Sequence, residues 1–507
     1  MYIRPAPETS DCSCRAVLAR GRRTGPARVS RSPAEIIARA ARIGSLLTVL
    51  LFLLAVVGGS AFTMAGEGPL VLSFGKDGAV CRSFMGFGAE WDPGFWGDPD
   101  FKAGEAEADW NRVLSRISWM KLPLTRMMMQ VRWCRNPDGK SDFESAQMKR
   151  VYRHLDVCQE LGITVILTDW GCEPAWLRVE GITNVADAKY AEAIGAYMDH
   201  LVKIKGYRCI KYFVMGNEPN CEVRDWDRWK QGILNVSAEF RRRGLVRQVA
   251  IAGPDETGGA TWHRRAVEQL QAKLGAYDLH YYVRPDVLRS GRLQEFFRTG
   301  WAYAVEKDAA AGSKPLIVGE AGVFHPGFSA GNNPHNQEYS YGVEMADYAV
   351  QAASAGSWAV LAWMLEDSSH QGFSWGMWKD KSGNFALKPW FYTWAMLTRY
   401  APAGSTTYRA DSADLDVRAL AVRSEARGAA GWTICLVNRG DRPRLVKLRA
   451  FEGGQTVFRH YLYSKDHAPA DKDGLPVPVE KKAGNLTVGV AVACPADSVG
   501  ILTSIER

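Results

Sequence analysis

From residue 84 to about 400, short apolar runs alternate with amphipathic stretches. The runs cover 84–91, 121–128, 163–170, 210–217, 248–253, 276–282, 315–320 and 357–364. A run such as ITVILTDW has no polar face, as expected of a strand covered on both sides. The stretches between them repeat at helical spacing. In EAEADWNRVLSRISWM the apolar residues Trp110, Val113, Leu114 and Ile117 fall on one face. Similar stripes occupy 144–161, 187–205, 226–243, 261–274, 293–311 and 338–356. Eight such strands alternating with helices predict an α/β fold closed into a (β/α)8 TIM barrel over 84–400. An open doubly wound sheet would need a phosphate-binding glycine loop, and neither GxGxxG after the first strand nor GxxxxGK[ST] occurs.

Beyond Tyr400 the pattern changes. The segment APAGS (401–405) reads as a linker, and short β-rich runs follow at 416–422, 431–437, 445–448, 455–463, 485–492 and 498–505. Turn residues separate them, which predicts a C-terminal all-β sandwich over 404–507. Residues 66–83 contain PLVLSFGKDGAVCR, which reads as a hairpin turning at Asp77-Gly78 and joining the sandwich from the other end of the chain.

Residues 1–65 stand apart. They hold nine Arg and three acidic residues, so +6 of the net +8 sits there and the remainder carries +2. A nearly neutral remainder gives no footprint for nucleic acid. Arg39 and Arg42 precede an apolar run at 46–57, followed by Gly58, Gly59, Ser60 and Ala61. That is the layout of a secretory signal peptide. No charge occurs between Arg42 and Glu67, so 44–66 also fits an uncleaved signal anchor. The Arg-, Pro- and Ser-rich stretch before it reads as disordered. The expected location is outside the cytoplasm, free or anchored. Export permits disulfides. Cys172 with Cys221 and Cys435 with Cys494 are the pairs the predicted strands bring near each other. The scattered spacing equally fits small buried hydrophobes, and no CxxC suggests zinc.

Chemistry in such a barrel belongs at the C-terminal ends of the strands. The fourth run ends in Gly216-Asn217-Glu218-Pro219 and the seventh in Val318-Gly319-Glu320-Ala321. Each places a carboxylate at the mouth, from opposite sides of the ring. Two opposed carboxylates suit glycosidic cleavage, where one protonates the leaving oxygen and the other attacks the anomeric carbon. A separation of about 5–5.5 Å allows direct attack and retention of configuration. The 18 Trp add flat apolar faces suited to sugar rings. Among them Trp91, Trp96, Trp170 and Trp363 fall at or after strand ends, as do the polar candidates Asp92, Glu173, Glu366 and Asp367. Metal-dependent hydrolysis needs clustered ligands, yet the nine His include no His-x-His and no HExxH, and no cofactor is expected.

This pattern resembles the clan A glycoside hydrolases, over residues 84–400. The stretch YFVMGNEPN, then a helix and VAIAGPDE, is similar to the β-xylosidase and α-L-iduronidase family, with the cellulase and glucosylceramidase/xylanase families close behind. The resemblance implies Glu218 as acid/base and Glu320 as nucleophile. It implies Asn217 as partner of the sugar 2-OH and Arg126 (LPLTRM) as support for the nucleophile. It matches His280 and Tyr282 (DLHYYV) to a His-x-Tyr pair, with Tyr282 donating to the nucleophile, and Trp363 (LAWML) to the floor under the reacting sugar. Trp170 opens TDWGCEPAW, which resembles a substrate-binding loop but matches no specificity signature. The expected activity is a retaining hydrolase of a β-linked oligo- or polysaccharide. The alternative is a catalytically silent carbohydrate-binding barrel, against which Arg126 and Tyr282 argue.

Overall fold

The computed structural model describes residues 68–93, 103–136, 138–170, 181–369, 372–410, 412, 414–465 and 467–507. The leader and the segment 44–66 lie outside them, as do Trp96, Cys172 and Glu173. Among the described residues no helix is long and apolar enough to cross a membrane.

The chain starts with β1 (Leu70–Phe74) and β2 (Ala79–Phe84). Then come β3 (Gly86–Glu90), β4 (Leu124–Met129), β5 (Thr164–Asp169) and β6 (Ile210–Met215). β7 (Ala250–Thr257), β8 (Ala276–Val283), β9 (Leu316–Val323) and β10 (Ala359–Ala362) follow. Strands β3 to β10 close into one parallel barrel, β10 pairing back onto β3. Helices such as Ala146–Leu161 and Trp226–Arg242 pack outside it. The first of these is capped by Ser145, whose side chain accepts from the Met148 N–H, and it stops at Gly162, held at φ 71°.

Strand side chains alternate in direction, and this sorts the barrel into layers. Leu124, Ile166, Val214, Ala252, Ala276, Ile317 and Leu361 form an apolar plug inside the ring. Met127, Met129, Val165, Leu167 and Phe213 face outward and merge with the helices. On β4 this leaves Leu124, Arg126 and Met128 inside, climbing from plug to mouth. The reactive rim therefore rests on a dry floor.

Register shifts at that rim include one on each side of β8. Between β7 and β8, Pro254 is opposite Asp278 but Glu256 is opposite Leu279, so Asp255 is one extra residue. Between β8 and β9, Leu279 is opposite Val318 and His280 is opposite Glu320, so Gly319 is extra. Bulges of this kind re-aim neighbouring side chains. Asp255 takes φ 61° to do so.

The C-terminal strands are β11 (Ser405–Arg409), β12 (Val417–Ser424), β13 (Gly431–Asn438) and β14 (Arg444–Ala450). They continue through β15 (Gln455–Tyr463), β16 (Glu480–Asn485), β17 (Val490–Cys494) and β18 (Ser498–Thr503). One sheet runs β16-β15-β18-β13-β12-β11-β2 and the other β1-β14-β17. The expected hairpin at 69–82 does not form: β1 pairs parallel with β14 and β2 pairs with β11, so Lys76–Gly78 crosses between sheets. Both strands lie in the sandwich nonetheless. The run expected at 485–492 spans a turn between β16 and β17. Residues 401–405 form a packed turn in place of a loose linker: Ala401 is buried, and the Gly404 N–H donates to the Phe84 carbonyl.

Both faces of the seven-stranded sheet are buried. Ala419, Ala421, Ile434 and Leu436 face the small sheet, while Leu420, Val422, Cys435 and Val437 join the barrel's core. This explains the Cys435–Cys494 expectation and its failure. The two thiols are near enough to sense one another but are unbonded, because Cys435 faces the barrel and Cys494 the space between the sheets. Burial pushes the Cys494 thiol up to about 11, as befits a small buried hydrophobe.

Candidate active site

The fourth strand turns sharply into a short helix, Pro219–Glu222, with Pro at its first turn. Gly216 sits at φ 89° and Glu218 at φ 43°, ψ 56°. A left-handed conformation at a non-glycine residue costs on the order of 1–2 kcal/mol, and here it aims the Glu218 side chain over the barrel. On the opposite side Glu320 follows the extra residue Gly319, which must be glycine. A Cβ there would stand 2.4 Å from Asp278 Oδ1 and 2.8 Å from His280 Nε2. The two turns bring Glu218, His280 and Glu320 together, with one oxygen or nitrogen of each within 4.8 Å of the others.

Arg126, fully buried, is the cation beneath them. Its Nη1 donates to Glu320 Oε1 at 2.6 Å and to Glu90 Oε2 at 3.2 Å. Its Nη2 donates to Asp255 Oδ2 at 2.8 Å and Asn217 Oδ1 at 2.9 Å. Tyr282 Oη donates to Glu320 Oε2 at 2.7 Å. His280 Nε2 lies 2.9 Å from Asp255 Oδ1, and Nδ1 lies 3.2 Å from Glu218 Oε1 and 3.6 Å from Glu320 Oε2. Asn217 Nδ2 reaches Glu222 Oε1 at 3.3 Å, and the Trp170 indole N–H reaches the same oxygen at 3.1 Å.

Five carboxyl groups and two cations in one dry pocket cannot all ionise. Burial lifts Glu90 to about 8, with Arg126 opposing and the charge on Glu320 adding, so Glu90 keeps its proton at neutral pH. Burial and then the charge on Asp255 raise Asp278 far above the carboxylate range. Burial would raise Asp255 too, but Arg126 and His280 outweigh it and hold that carboxyl well below its ordinary value. Burial disfavours charge on His280, yet Asp255 and Glu320 keep it well above the usual histidine value. This favours the imidazolium form, in which each nitrogen has a carboxylate to donate to. For Glu320, burial raises the carboxyl and outweighs the pull of His280 and Arg126, with Glu218 adding. Burial and the charge on Glu320 keep Tyr282 protonated as a donor.

Asp255, Asp278 and His280 also bring ligand-type atoms within 4.8 Å. Neither cluster fits a cation well, because each nitrogen of His280 already faces a carboxylate that favours its protonated form, which offers no lone pair.

Above the carboxylates the wall is aromatic and soft. Met128, Trp363, Met364 and Trp375 cluster there, with Trp170 and Tyr282 packed against them. Trp363 is 6% exposed and meets Phe373 edge-on at 6.0 Å. Thus Arg126, Asn217, Glu218, His280, Tyr282 and Glu320 converge, and Trp363 and Trp170 flank them.

Trp91 does not join them, contrary to expectation. Glu90 faces into the barrel, so the next side chain faces out. Trp91 is 1% exposed, stacked on Trp110 at 5.5 Å and lying 4.5 Å from His154. It is a wedge between strand and helices. Asp92 is buried near enough to add to the rise in Glu90. Glu366 accepts from the Trp378 indole at 3.0 Å, and Asp367 pairs with Lys388 at 2.7 Å, so both pin the loop after β10. The sequence reading passed over Glu90, Asp255, Asp278 and Glu222. Glu90 closes the first run and Asp255 stands in the quoted VAIAGPDE; a charged residue ending an apolar run was the available signal.

No protein-family profile matches the sequence, and no curated protein matches it. Solved structures do match in fold. The chain is similar to the GH30 endoxylanase of Clostridium papyrosolvens at 12% identity and a TM-score of 0.60, over 86% of this chain and 100% of that one. It is similar to an α-L-arabinofuranosidase of Thermotoga maritima at 12% identity and a TM-score of 0.59, over 86% and 99%. A monomeric β-xylosidase of Caulobacter crescentus gives 14% identity and a TM-score of 0.57, over 86% and 99%. At these identities the likeness is one of fold, a barrel with an attached β domain.

Proposed function

We propose that this chain is a retaining glycoside hydrolase acting on a β-linked oligo- or polysaccharide, with Glu320 as nucleophile and Glu218 as acid and base. The observation that carries the reading is the approach of two rim carboxylates, with oxygens within 4.8 Å, one of them gripped by Arg126 and Tyr282. That approach is short of the spacing of an inverting pair, whose carboxyls stand about 6.5–9.5 Å apart, and supports direct attack. The asymmetry of partners supports these roles. Glu320 takes donors on both oxygens, which fixes it for attack on the anomeric carbon. Among the described residues the Glu218 carboxyl has a side-chain hydrogen bond with His280 alone, which suits a group that must trade its proton.

In the first step a Glu320 oxygen bonds to the anomeric carbon, the bond to the leaving oxygen breaks, and that oxygen takes the Glu218 proton. In the second, water attacks the same carbon, gives a proton to Glu218, and returns the electron pair of the ester to Glu320. Asn217, held by Arg126, is placed to meet the sugar 2-OH, and Trp363 and Trp170 to pack against the ring. The fold likeness to glycosidases supports the class of reaction, and the segment 44–66 supports export. The protein needs no metal or cofactor for these steps.

The test is trapping. A panel of 2-deoxy-2-fluoro glycosyl donors, incubated with the chain and followed by intact mass and peptide mapping, is expected to esterify Glu320. Sugar binding without any label would favour a silent carbohydrate-binding barrel, and a label elsewhere would displace the nucleophile.

A further inference from the structure

Asp255 is one extra residue in β7, fully buried, and it accepts from three groups at once. Arg126 Nη2 lies at 2.8 Å, His280 Nε2 at 2.9 Å and the backbone N–H of Glu218 at 3.2 Å. The first of these also holds Glu320, the second faces both rim carboxylates, and the third is the main chain of the acid itself. No other described side chain in the pocket contacts all three parts of the site. The proposal that follows rests on the glycosidase reading above.

We propose that Asp255 is a positioning residue that keeps His280 cationic throughout the reaction, so that the Nδ1–H of His280 serves whichever of Glu320 and Glu218 carries the negative charge. The geometry requires little motion. Nδ1 stands 3.2 Å from Glu218 Oε1 and 3.6 Å from Glu320 Oε2, while Nε2 is anchored on Asp255. Before the first step the charge is on Glu320. Once the ester bond forms and the Glu218 proton passes to the leaving oxygen, Glu320 is neutral and Glu218 is the anion. The second step reverses this as water gives its proton to Glu218 and the ester bond breaks. One fixed imidazolium between the two sites follows the charge without reorganisation, which is the cheapest form of electrostatic stabilisation in a dry pocket.

The groups facing His280 are consistent with this. They are Asp255 from β7, Asp278 and Tyr282 from its own strand, Glu320 from β9, Glu218 after β6 and Arg126 from β4. Asp278 stays neutral, so Asp255 is the one buried anion that the reaction leaves untouched. Replacing it by Asn removes that charge. The amide oxygen is drawn to Arg126 and the Glu218 N–H, which turns the amide NH2 toward Nε2 and drives the proton off it.

The test reads the histidine directly and then the catalysis. With 15N-histidine labelling, and the resonance assigned by its loss in His280→Gln, wild-type His280 is expected to hold protons on both nitrogens from about pH 5 to 8, where an ordinary histidine titrates. In Asp255→Asn it is expected to be neutral over that range. Turnover of aryl glycosides with poor leaving groups is expected to fall about 10–100-fold, the size of one lost charge-assisted hydrogen bond, and good leaving groups much less. The acid limb of kcat/KM is expected to move to higher pH, because Glu320 loses the cation that pulls its carboxyl down. A wild-type His280 that titrates near its ordinary value in an active enzyme overturns the proposal alone, and needs no variant to fold. So does an Asp255→Asn protein that keeps the cation, or that loses activity equally on both leaving-group classes. A wild-type chain that cleaves no glycoside overturns the reading beneath it, whatever the resonance shows.

Discussion

At the scale of single residues, the site works by making like groups unlike. Glu320, Glu90, Asp255 and Asp278 are all carboxyls in one pocket, yet contacts push their ionisation apart, Asp255 down and Glu90 and Asp278 up. A pH prediction follows from Glu320. In the proposed role of nucleophile it must be ionised, and burial raises its carboxyl above the usual value. A raised carboxyl regains its proton at a higher pH as acid is added. The acid limb of kcat/KM should therefore lie above the ordinary glutamate range of about 4.3, and a limb below it would contradict the electrostatics. The strand ends point to Glu320, Glu218, Arg126, His280 and Tyr282, whose side chains converge, because a residue that closes an apolar run points into the mouth whatever its neighbours are. It misplaced Trp91, where the period of two sends the residue after an inward Glu90 outward into Trp110.

At the scale of elements, the bulges decide what the strand pattern left open. The fifth apolar run stops at Gly253, since Pro254 and two acids break its character, yet β7 continues to Thr257 by inserting Asp255. No hydrophobic periodicity reports a bulge, so the charged end of the run is legible in the sequence, but the inward turn of Asp255 is not. Gly319 is the matching insertion in β9. Gly319→Ala should place a methyl against Asp278 Oδ1 and His280 Nε2. The expected cost is about 1–3 kcal/mol in denaturant unfolding, with a fall in kcat out of proportion to any rise in KM, because Glu320 moves with the strand. Wild-type stability and kcat in that variant would show that the strand has slack. The hairpin expected at Asp77-Gly78 failed for a related reason. Local turn chemistry names the bend, while the partner of each strand is set by surface far along the chain, here β14 and β11.

At the scale of the whole molecule, the barrel and the sandwich share one core, and buried charge joins them. Asp347, on the helix Tyr339–Ser354, is fully buried and binds Arg418 at 3.0 Å and Arg439 at 3.2 Å from the large sheet. Removing one partner of a buried pair costs roughly 3–5 kcal/mol. With Arg439 remaining, Arg418→Ala should cost about 3 kcal/mol, the lower end of that range. Calorimetry should show one transition moving down as a unit; a sandwich that melts apart from an unshifted barrel would contradict the shared core. The eightfold alternation made the barrel legible, but the burial of both sheet faces was hidden in runs that read simply as β-rich. What all of this supports is one claim, that the carboxyl group of residue 320 bonds to sugar during turnover. The most direct measurement is product stereochemistry in Glu320→Ala with added azide, read by NMR. The account predicts negligible turnover without azide and, with it, a glycosyl azide of inverted configuration. Full activity without azide, or an azide product that retains configuration, would contradict it.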